Sequence, residues 1–313
     1  MPNTKAIERT VKMESKVLRR NNGRSRRDRR NFYLFAAPGL IGFCILTLYP
    51  FLFSFVISFT NRHLLYPGRE TFIWFKNYQF LFKDVYFWRA MSNSFYYAFF
   101  SVVISNVLGI LSALLMTKRY KGRSAFRVIY FIPSILPAIA TITMFGFLFN
   151  PTGGIINSML LKLGVPFNEL PLWLTNSKSA IPTLLLIGCW GFGGKMIIYM
   201  AGLLGINREL YEAAGLDGAS AFKSFFRITL PLLTPSIFYN LIMSIIGALQ
   251  VFTESYVAVG SVTRFYVHYL YNIGYEAKQL GRASAMAWIM FVMILGLTGI
   301  NFGLSKKYVH YDN

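Results

Sequence analysis

Charged side chains are absent from five long runs of this 313-residue chain. The runs are mostly apolar and cover residues 31–61, 90–117, 128–161, 228–253 and 283–305. A helix needs roughly 20 apolar residues to cross the hydrocarbon core of a lipid bilayer, and every run exceeds that length. The charge distribution therefore predicts a membrane protein that crosses the bilayer several times.

A sixth segment, residues 181–204, is also long enough to span a membrane, although it contains Lys195. We therefore predict an all-α membrane protein with six transmembrane helices, near residues 32–59, 94–116, 128–149, 181–204, 235–259 and 283–304. Only 14% of the residues are charged, against about 25% in a typical soluble domain. Both cysteines, Cys44 and Cys189, lie within these spans, so neither a disulfide framework nor a metal site is expected.

Lysine and arginine indicate the orientation, because they accumulate in the cytoplasmic loops of membrane proteins. With the N-terminus inside, the inner segments hold 21 of the 32 basic residues and the outer segments hold 10. The inner segments are 1–31, 117–127, 205–234 and 305–313. The bias predicts that both termini and residues 205–234 lie in the cytoplasm.

The first 31 residues carry 11 lysines and arginines, a large part of the basic charge behind the net charge of +20. Such an arm can bind nucleic acid. It can also anchor the inner end of the following span and contact anionic membrane lipid. We favour the anchor and expect no nucleic-acid partner, because a span begins immediately afterwards. The apolar run from Phe32 is too long for a cleaved signal peptide.

Residues 205–234 predict a short helical hairpin between the fourth and fifth spans. Asn207 is suited to cap its first helix, and acidic residues in the early turns interact favourably with the helix dipole. Asp217-Gly218 is a turn signal, and Asp217 can cap the second helix. The pattern predicts two helices joined by a tight turn.

The second helix of the hairpin carries an aromatic stripe, formed by Phe222, Phe225 and Phe226. Leu230-Pro231 is expected to end this helix. A hairpin with an aromatic stripe between two membrane spans is suited to press against another protein. The alternative is an ordinary interfacial loop between two membrane helices.

Seven residues of the hairpin match a known motif at their observed spacing: Glu212, Ala213, Ala214, Gly218, Ile228, Leu230 and Pro231. They resemble the EAA loop of the permeases of binding-protein-dependent ABC importers. Asp217-Gly218-Ala219, together with Leu230-Pro231 and Pro235, resembles the maltose-type, sugar-importing branch of that family. The resemblance covers nearly the whole chain, from about Phe32 to Leu304.

The resemblance implies a type I ABC importer transmembrane domain that imports a sugar or oligosaccharide across the bacterial cell (inner) membrane. The implied partners are a second homologous permease, two cytoplasmic ATPase subunits that bind ATP and magnesium, and an extracytoplasmic solute-binding protein. The chain itself is expected to hold no cofactor and to be no enzyme. The residues implied to couple to the ATPase are Glu212, Ala213, Ala214, Asp217, Gly218, Ala219, Phe222, Phe225, Leu230 and Pro231.

The chain divides on this basis into four parts. They are a basic cytoplasmic segment (1–31), the first span with its outer segment (32–92), a core that contains the coupling loop 205–234 (93–304), and a cytoplasmic tail (305–313). A membrane-anchored signalling or structural protein would need a soluble domain or a long tail, so we do not favour that class.

Residues 190–195 interrupt the fourth span with a tryptophan, three glycines and a lysine. Three glycines in four positions weaken a helix and allow an unwound stretch that lines a cavity. Pro133 and Pro137 are expected to break the third span in a similar way. The segment is no phosphate-binding loop, because the required spacing is absent and Met196 follows the lysine, so no nucleotide site is expected.

Lys195 is the one basic residue within a span, and an ionisable residue there usually faces a cavity. Glu254 lies ~15 Å further from the inner end of its own span, so the two are not expected to pair. We hypothesise that Lys195 faces the translocation pathway and binds the substrate. The alternative is a lysine held by backbone carbonyls or extended towards the interface. Related permeases commonly have asparagine here, so the lysine favours an anionic saccharide.

Amides and a carboxylate beside aromatic residues suit a sugar, whose hydroxyls bind polar groups and whose ring faces stack. The predicted pathway residues are Trp190, Lys195, Gln250, Thr253, Glu254 and Tyr256. Polar contacts between helices are the alternative for each of them. A permease for another solute class remains open, as does a stand-alone secondary transporter or channel. The latter would need ion-coupling carboxylates in mid-membrane, where Glu254 is the one acid.

Overall fold

The computed structural model describes residues 31–118 and 120–308. Most of the predicted basic N-terminal segment and of the predicted C-terminal tail lies outside these residues. The described part is nearly all helical, and the pairing of Thr60 with Phe72 is its one isolated β-bridge. This confirms the all-α prediction for the described residues.

The helices are named here in chain order. They are α1 (Asn31–Ser58), α2 (Lys76–Lys83), α3 (Val85–Thr117), α4 (Arg123–Ile135), α5 (Ala138–Leu148), α6 (Ile155–Lys162), α7 (Ser177–Gly188), α8 (Gly193–Gly205), α9 (Arg208–Leu216), α10 (Ala221–Leu232), α11 (Thr234–Leu249), α12 (Tyr266–Tyr271) and α13 (Leu280–Tyr308). The chain divides into two compact units, residues 1–57 and residues 58–313.

Helix α1 dominates the described part of the first unit and contains one irregular turn. A proline interrupts the bonding of a regular helix, because it has no backbone N–H to donate four residues back. Just before Tyr49-Pro50 the helix widens into a π-helical turn, Cys44–Leu48, in which the Tyr49 N–H donates to the Cys44 carbonyl. A π-bulge of this kind shifts the backbone hydrogen bonds by one residue, so the helix can continue through Pro50 to Ser58.

Three single helices, α1, α3 and α13, are long and apolar enough to cross a membrane. Three further pairs pass the same test together, although each is sharply bent. The bends are 97° between α4 and α5, 47° between α7 and α8, and 65° between α10 and α11. The described residues therefore hold three candidate spans, or six if each bent pair forms one.

Helix α3 is central to the packing of the second unit. It begins earlier than the predicted residue 94, because the Asp84 side chain caps it by accepting a hydrogen bond from the Tyr86 N–H. Its buried face is rich in small and polar residues, among them Ser94, Ala98, Gly109 and Ala113. Small side chains allow helices to approach closely, which is the usual basis of helix packing in membranes.

The predicted fifth span, residues 235–259, is not one continuous helix. Helix α11 ends at Leu249, and a π-helical turn, Ser255–Val259, follows after a break. No proline or glycine stands between Leu249 and Ser255, so local sequence does not mark this break.

Candidate functional site

A cavity of about 240 Å³ lies in the second unit where three helix breaks come together. Leu136 lines it from the α4–α5 break, Trp190 and Gly191 from the α7–α8 break, and Glu254 from the break after α11. Tyr97 in the middle of α3 completes one wall. Broken membrane helices that meet around a cavity are the typical construction of a transporter binding site.

Pro137 marks the first break. Leu136 is extended (φ −71°, ψ 141°), as expected for a residue before proline. Pro137 is also extended and precedes α5, which leaves at 97° to α4. The break predicted at Pro137 therefore occurs, whereas the one predicted at Pro133 is wrong, because α4 continues through Pro133 to Ile135. Pro133 and Leu136 both line the cavity.

The glycine-rich break between α7 and α8 is also a site of close backbone packing, which requires glycine at one position. A Cβ added to Gly193 would lie 2.1 Å from the Tyr130 carbonyl oxygen and 2.8 Å from the Phe131 Cα. Backbone atoms cannot move away cheaply, so only glycine lets α8 begin directly against α4. The neighbouring Trp190 is held edge-to-face against Phe145, with 5.3 Å between the ring centroids.

The lining of this cavity combines aromatic and polar groups. Trp190 and Tyr97 supply aromatic surface, Ser134 and Thr141 supply hydroxyls, and Glu254 is the one acidic or basic residue in the lining. Aromatic faces with a few hydrogen-bonding groups are suited to a small polyhydroxylated solute. The carboxylate can accept hydrogen bonds from hydroxyl groups, and it disfavours a negative charge placed beside it.

The hairpin of α9 and α10 follows directly from the other end of α8. The Asn207 side chain caps α9 by accepting from the Glu209 N–H, which confirms the predicted cap. An ion pair of 3.1 Å joins Arg208 to Glu212 on its exposed surface. The two helices are tied together by a 2.9 Å hydrogen bond between the hydroxyls of Tyr211 and Thr229.

Two local predictions about the hairpin are wrong. Ser220, and not Asp217, caps α10 by accepting from the Lys223 N–H, because Asp217 is the C-cap residue that follows α9. Helix α10 also continues through Pro231 to Leu232. A π-helical turn makes this possible, since the Leu230 N–H donates to the Phe225 carbonyl five residues back.

The turn and the aromatic side of the hairpin are exposed. Leu216 and Phe222 keep 91% and 75% of their surface accessible, and the Phe222 and Phe226 rings pack together at 4.7 Å. Gly218 adopts φ +72°, a conformation that favours glycine, and a Cβ there would point into open space. Exposed apolar side chains of this kind mark a surface that another protein can cover.

A sequence profile of the family described as "Binding-protein-dependent transport system inner membrane component" matches residues 105–309. The chain belongs to this family. The matched range contains all three helix breaks and the complete hairpin. The resemblance inferred from Glu212, Gly218 and Pro231 is therefore confirmed.

Several curated permeases align with most of this one. The probable ABC transporter permease protein YesP of Bacillus subtilis is 34% identical, with 92% of this chain and 94% of the relative covered. The arabinooligosaccharides transport system permease protein AraP of Bacillus subtilis is 33% identical (88% and 88% covered). The trehalose/maltose transport system permease protein MalF of Thermococcus litoralis is also 33% identical (85% and 90% covered).

Solved structures support the fold of the permease. A chain from the crystal structure of a bacterial ABC transporter involved in the import of the acidic polysaccharide alginate superposes with a TM-score of 0.78. The two chains are 24% identical, and the superposition covers 90% of this permease and 98% of the other chain. The likeness shows a shared transmembrane-domain fold.

The structure brings some predicted pathway residues of the permease together and separates others. Trp190 and Glu254 line the same cavity. Lys195 is the third residue of α8, where its Cβ is 3.1 Å from the position of a Cβ on Gly109, and it does not line this cavity. Gln250 and Thr253 lie at the break after α11, also outside the lining.

Tyr256, the remaining predicted pathway residue, belongs to an aromatic cluster behind the cavity. Its ring stacks on Phe252 at 5.2 Å and meets His268 edge-to-face at 5.3 Å. His268 is buried, and its Nδ1 lies 2.9 Å from the Ser255 hydroxyl. Burial lowers the pKa of His268, and the nearby Arg264 lowers it further, against smaller opposing effects of Glu276 and of the hydrogen bond at Ser255.

A buried polar network joins three helices of the permease. The Tyr199 hydroxyl of α8 donates to the Asn106 Oδ1 of α3 at 2.6 Å. The Asn106 amide donates to the Ser244 hydroxyl of α11 at 3.2 Å. Asn240 lies buried beside this network. These contacts hold the helices before and after the hairpin against α3.

Sequence analysis missed several cavity residues, above all Tyr97 and the hydroxyls of Ser134 and Thr141. Tyr97 is one aromatic residue among many in α3, so no pattern distinguished it. For Ser134 the signal was present, since it lies between the two prolines that were expected to break the third span.

Proposed function

We propose that this chain is the transmembrane subunit of an ATP-driven importer that moves a sugar or oligosaccharide through the cavity. The observation that carries the proposal is that one helix, α8, connects the two parts such a machine needs. Trp190 and Gly191, which directly precede the helix, line the cavity, and its last residue, Gly205, precedes the hairpin with the EAA motif. A helix of 13 residues transmits movement over about 20 Å.

Six spans in the membrane support this function, with both termini in the cytoplasm as the basic residues indicate. Helix α11 alone has 16 residues, about 24 Å, which is short of the about 30 Å hydrocarbon core. We therefore infer that the fifth span includes the break and the turn up to Val259. Helix α10 then belongs to the cytoplasmic hairpin.

The partners we propose follow from the exposed hairpin and the relatives. Two cytoplasmic ATPase subunits bind ATP and magnesium, one of them covering Leu216 and Phe222. A second homologous permease completes the pathway, and an extracytoplasmic binding protein delivers the solute. Closure of the ATPases moves the hairpin, and α8 carries this movement to the cavity, which then opens to alternate sides of the membrane.

A saccharide is the solute class that the cavity and the relatives support together. Relatives that cover most of this chain are named for arabinooligosaccharides and for trehalose and maltose. Trp190 offers a ring for stacking, and Glu254 accepts hydrogen bonds from hydroxyls. Because Glu254 is the one acidic or basic residue of the lining, the cavity favours a neutral saccharide.

An anionic saccharide is the second candidate, and two observations favour it. Lys195 lies on the helix that begins just after the lining residue Gly191, and one neighbour of known structure belongs to an alginate importer. In this case Lys195→Asn should weaken the uptake of an acidic oligosaccharide more than tenfold and leave a neutral one unaffected. Equal uptake by the variant and the unmodified protein would remove this candidate.

The decisive experiment is to purify the tagged full-length permease from membranes with the subunits that accompany it. The complex is reconstituted in liposomes and supplied with ATP on the hairpin side. We expect an ATPase to co-purify and radiolabelled saccharide to accumulate only when ATP is hydrolysed. Saccharide uptake by the permease alone, without an ATPase and without ATP, would instead indicate a secondary transporter.

A further inference from the structure

A separate pocket of about 200 Å³ lies in the second unit, between residues 60–77 and residues 279–282. Its polar lining includes Asn61, Arg62, His63, Gln279 and Arg282, and none of the described residues that line it is acidic. We propose that this basic pocket binds the phosphate group of an anionic membrane phospholipid, such as phosphatidylglycerol.

Hydrogen bonds within the chain hold the two sides of the basic pocket together. The Gly281 N–H donates to the Arg62 carbonyl at 3.0 Å, which joins the start of α13 to the segment after α1. The buried Asn77 amide donates to the carbonyls of Ser58 and Thr60, both at 2.8 Å. The backbone around the basic pocket is therefore fixed by the protein itself.

The side chains of the basic pocket use their acceptor atoms inside the protein and leave donors for a ligand. The Asn61 Oδ1 accepts from the Thr71 N–H at 2.7 Å, so its Nδ2 remains a donor. The Gln279 Oε1 accepts from Arg282 at 2.6 Å, so its Nε2 remains a donor too. The His63 Nδ1 accepts from a backbone N–H at 3.3 Å, so a neutral ring carries its proton on Nε2. Several donors around one pocket suit the oxygens of a phosphate group.

Arg282 supplies the positive charge in a fixed orientation. Its guanidinium carbon lies 3.7 Å from the centroid of the Phe80 ring, and its hydrogen bond to Gln279 restrains it further. Arg62 also lines the basic pocket, but it pairs with Glu70 at 2.9 Å, so the net charge comes from Arg282. A planar guanidinium matches the geometry of phosphate oxygens.

The basic pocket lies at the ends of two candidate spans, where lipid headgroups are found. Thr60 is two positions beyond α1, and Arg282 is the third residue of α13. Phe72 and Trp74, on either side of the lining residue Ile73, are exposed, and such aromatic residues are typical of the membrane–water interface. With the orientation of the proposed function, on which this step rests, the headgroup belongs to the outer leaflet.

The test measures lipid binding to the purified full-length permease with the subunits that accompany it. The complex in detergent micelles is titrated with phosphatidylglycerol or with phosphatidylcholine, and native mass spectrometry gives the fraction of complex that holds each lipid. We expect phosphatidylglycerol to bind roughly tenfold more tightly than phosphatidylcholine, because the basic pocket favours a net negative charge.

Asn61→Asp is the sharpest variant, since its carboxylate still accepts from the Thr71 N–H but replaces the amide donor with a negative charge. Arg282→Gln removes the positive charge. Each variant should weaken the binding of phosphatidylglycerol about tenfold and leave that of phosphatidylcholine nearly unchanged. Arg69→Gln is the matched control, because Arg69 is exposed in the same segment and does not line the basic pocket.

Equal affinity for the two lipids, or an equal loss in Arg69→Gln, would overturn the lipid site. Inorganic phosphate that binds as tightly as phosphatidylglycerol would assign the basic pocket to a free anion instead. If Asn61→Asp releases an accompanying extracytoplasmic protein but binds phosphatidylglycerol normally, the pocket receives an acidic group of that protein and not a lipid. The measurement needs neither ATP nor saccharide, so its failure is distinct from a failure of the proposed function.

Discussion

The hairpin and the middle of helix α8 satisfy their polar groups in opposite ways. In the hairpin, Asn207 bonds a residue two positions away, and Ser220 bonds one three positions away. In the middle of α8, Tyr199 bonds Asn106, which is 93 positions away in the chain, and Asn106 bonds Ser244 across 138 positions. The cavity is likewise lined by segments far apart in the chain, from Tyr97 to Glu254. The hairpin is therefore built locally, and the helix packing and the cavity are built by tertiary contacts.

This difference has a functional consequence. A locally built hairpin can keep its shape while it moves, because its caps and its ion pair move with it. The cavity depends on contacts between distant helices, so rearranging those helices changes its shape. We infer that the hairpin moves as a body and that the cavity responds. Mutations at the two ends of α8 should therefore have different effects on stability and on transport.

The largest expected effect is at the cavity end, in Gly193→Leu. A side chain at this position meets the backbone of Tyr130 and Phe131, so α8 and α4 must separate. We expect a loss of about 3 kcal/mol or more in the free energy of unfolding, and loss of transport. Thermal unfolding in detergent measures it, with Gly205→Ala as control, because a Cβ on Gly205 meets nothing within 4 Å. Equal stability of the two variants would contradict the close packing at Gly193.

Tyr199→Phe tests the buried polar network, and we expect a smaller loss of stability than in Gly193→Leu. The change leaves the buried Asn106 Oδ1 without its hydrogen bond from the tyrosine hydroxyl. We expect a destabilisation of about 1–2 kcal/mol, measured by unfolding in mixed micelles. Tyr239→Phe, at a tyrosine that is 51% exposed, should have little effect. If both variants unfold alike, the network does not hold α3, α8 and α11 together.

Substitutions at Gly218 in the hairpin test protein stability and coupling to ATP hydrolysis separately. Gly218→Ala places a side chain in the unfavourable φ +72° conformation but in open space, so we expect a cost of about 1 kcal/mol. A bulky residue there should leave the protein in the membrane but uncouple ATP hydrolysis from uptake, because it projects from the surface that we propose the ATPase covers. Gly215→Ala on the same hairpin is the control. Unchanged substrate-stimulated hydrolysis and uptake in Gly218→Trp would argue against the coupling role.

A smaller effect is expected from pH at the aromatic cluster behind the cavity. The pKa of buried His268 is lowered in the folded protein, so the unfolded chain takes up a proton more readily as the pH falls. The contribution of neutral His268 to stability is thus fully present above its ordinary pKa of about 6.5, and it is lost as the pH falls through the lowered value. His268→Gln should flatten the stability between pH 7 and pH 5. An unchanged slope would assign the pH dependence to other groups.

The hairpin was more predictable from the sequence than the cavity. The hairpin was predicted with its first cap at Asn207 and its turn at Gly218, because caps and turns depend on residues a few positions apart. The path of α10 through Pro231 was missed, since a π-helical turn has no simple sequence signal. Of the predicted pathway residues, Trp190 and Glu254 line the cavity, whereas Lys195 and Tyr256 do not.

Local patterns in the chain were enough to predict a membrane protein, to recognise its family of permeases and to locate its hairpin. Charge-free runs, capping residues and a spaced motif are properties of single segments, so each can be recognised without a fold. The three-dimensional packing was needed to learn which broken segments share a cavity with Tyr97, and that α11 breaks after Leu249 without a proline or glycine. These features depend on contacts between residues far apart in the chain, and no local pattern specifies them.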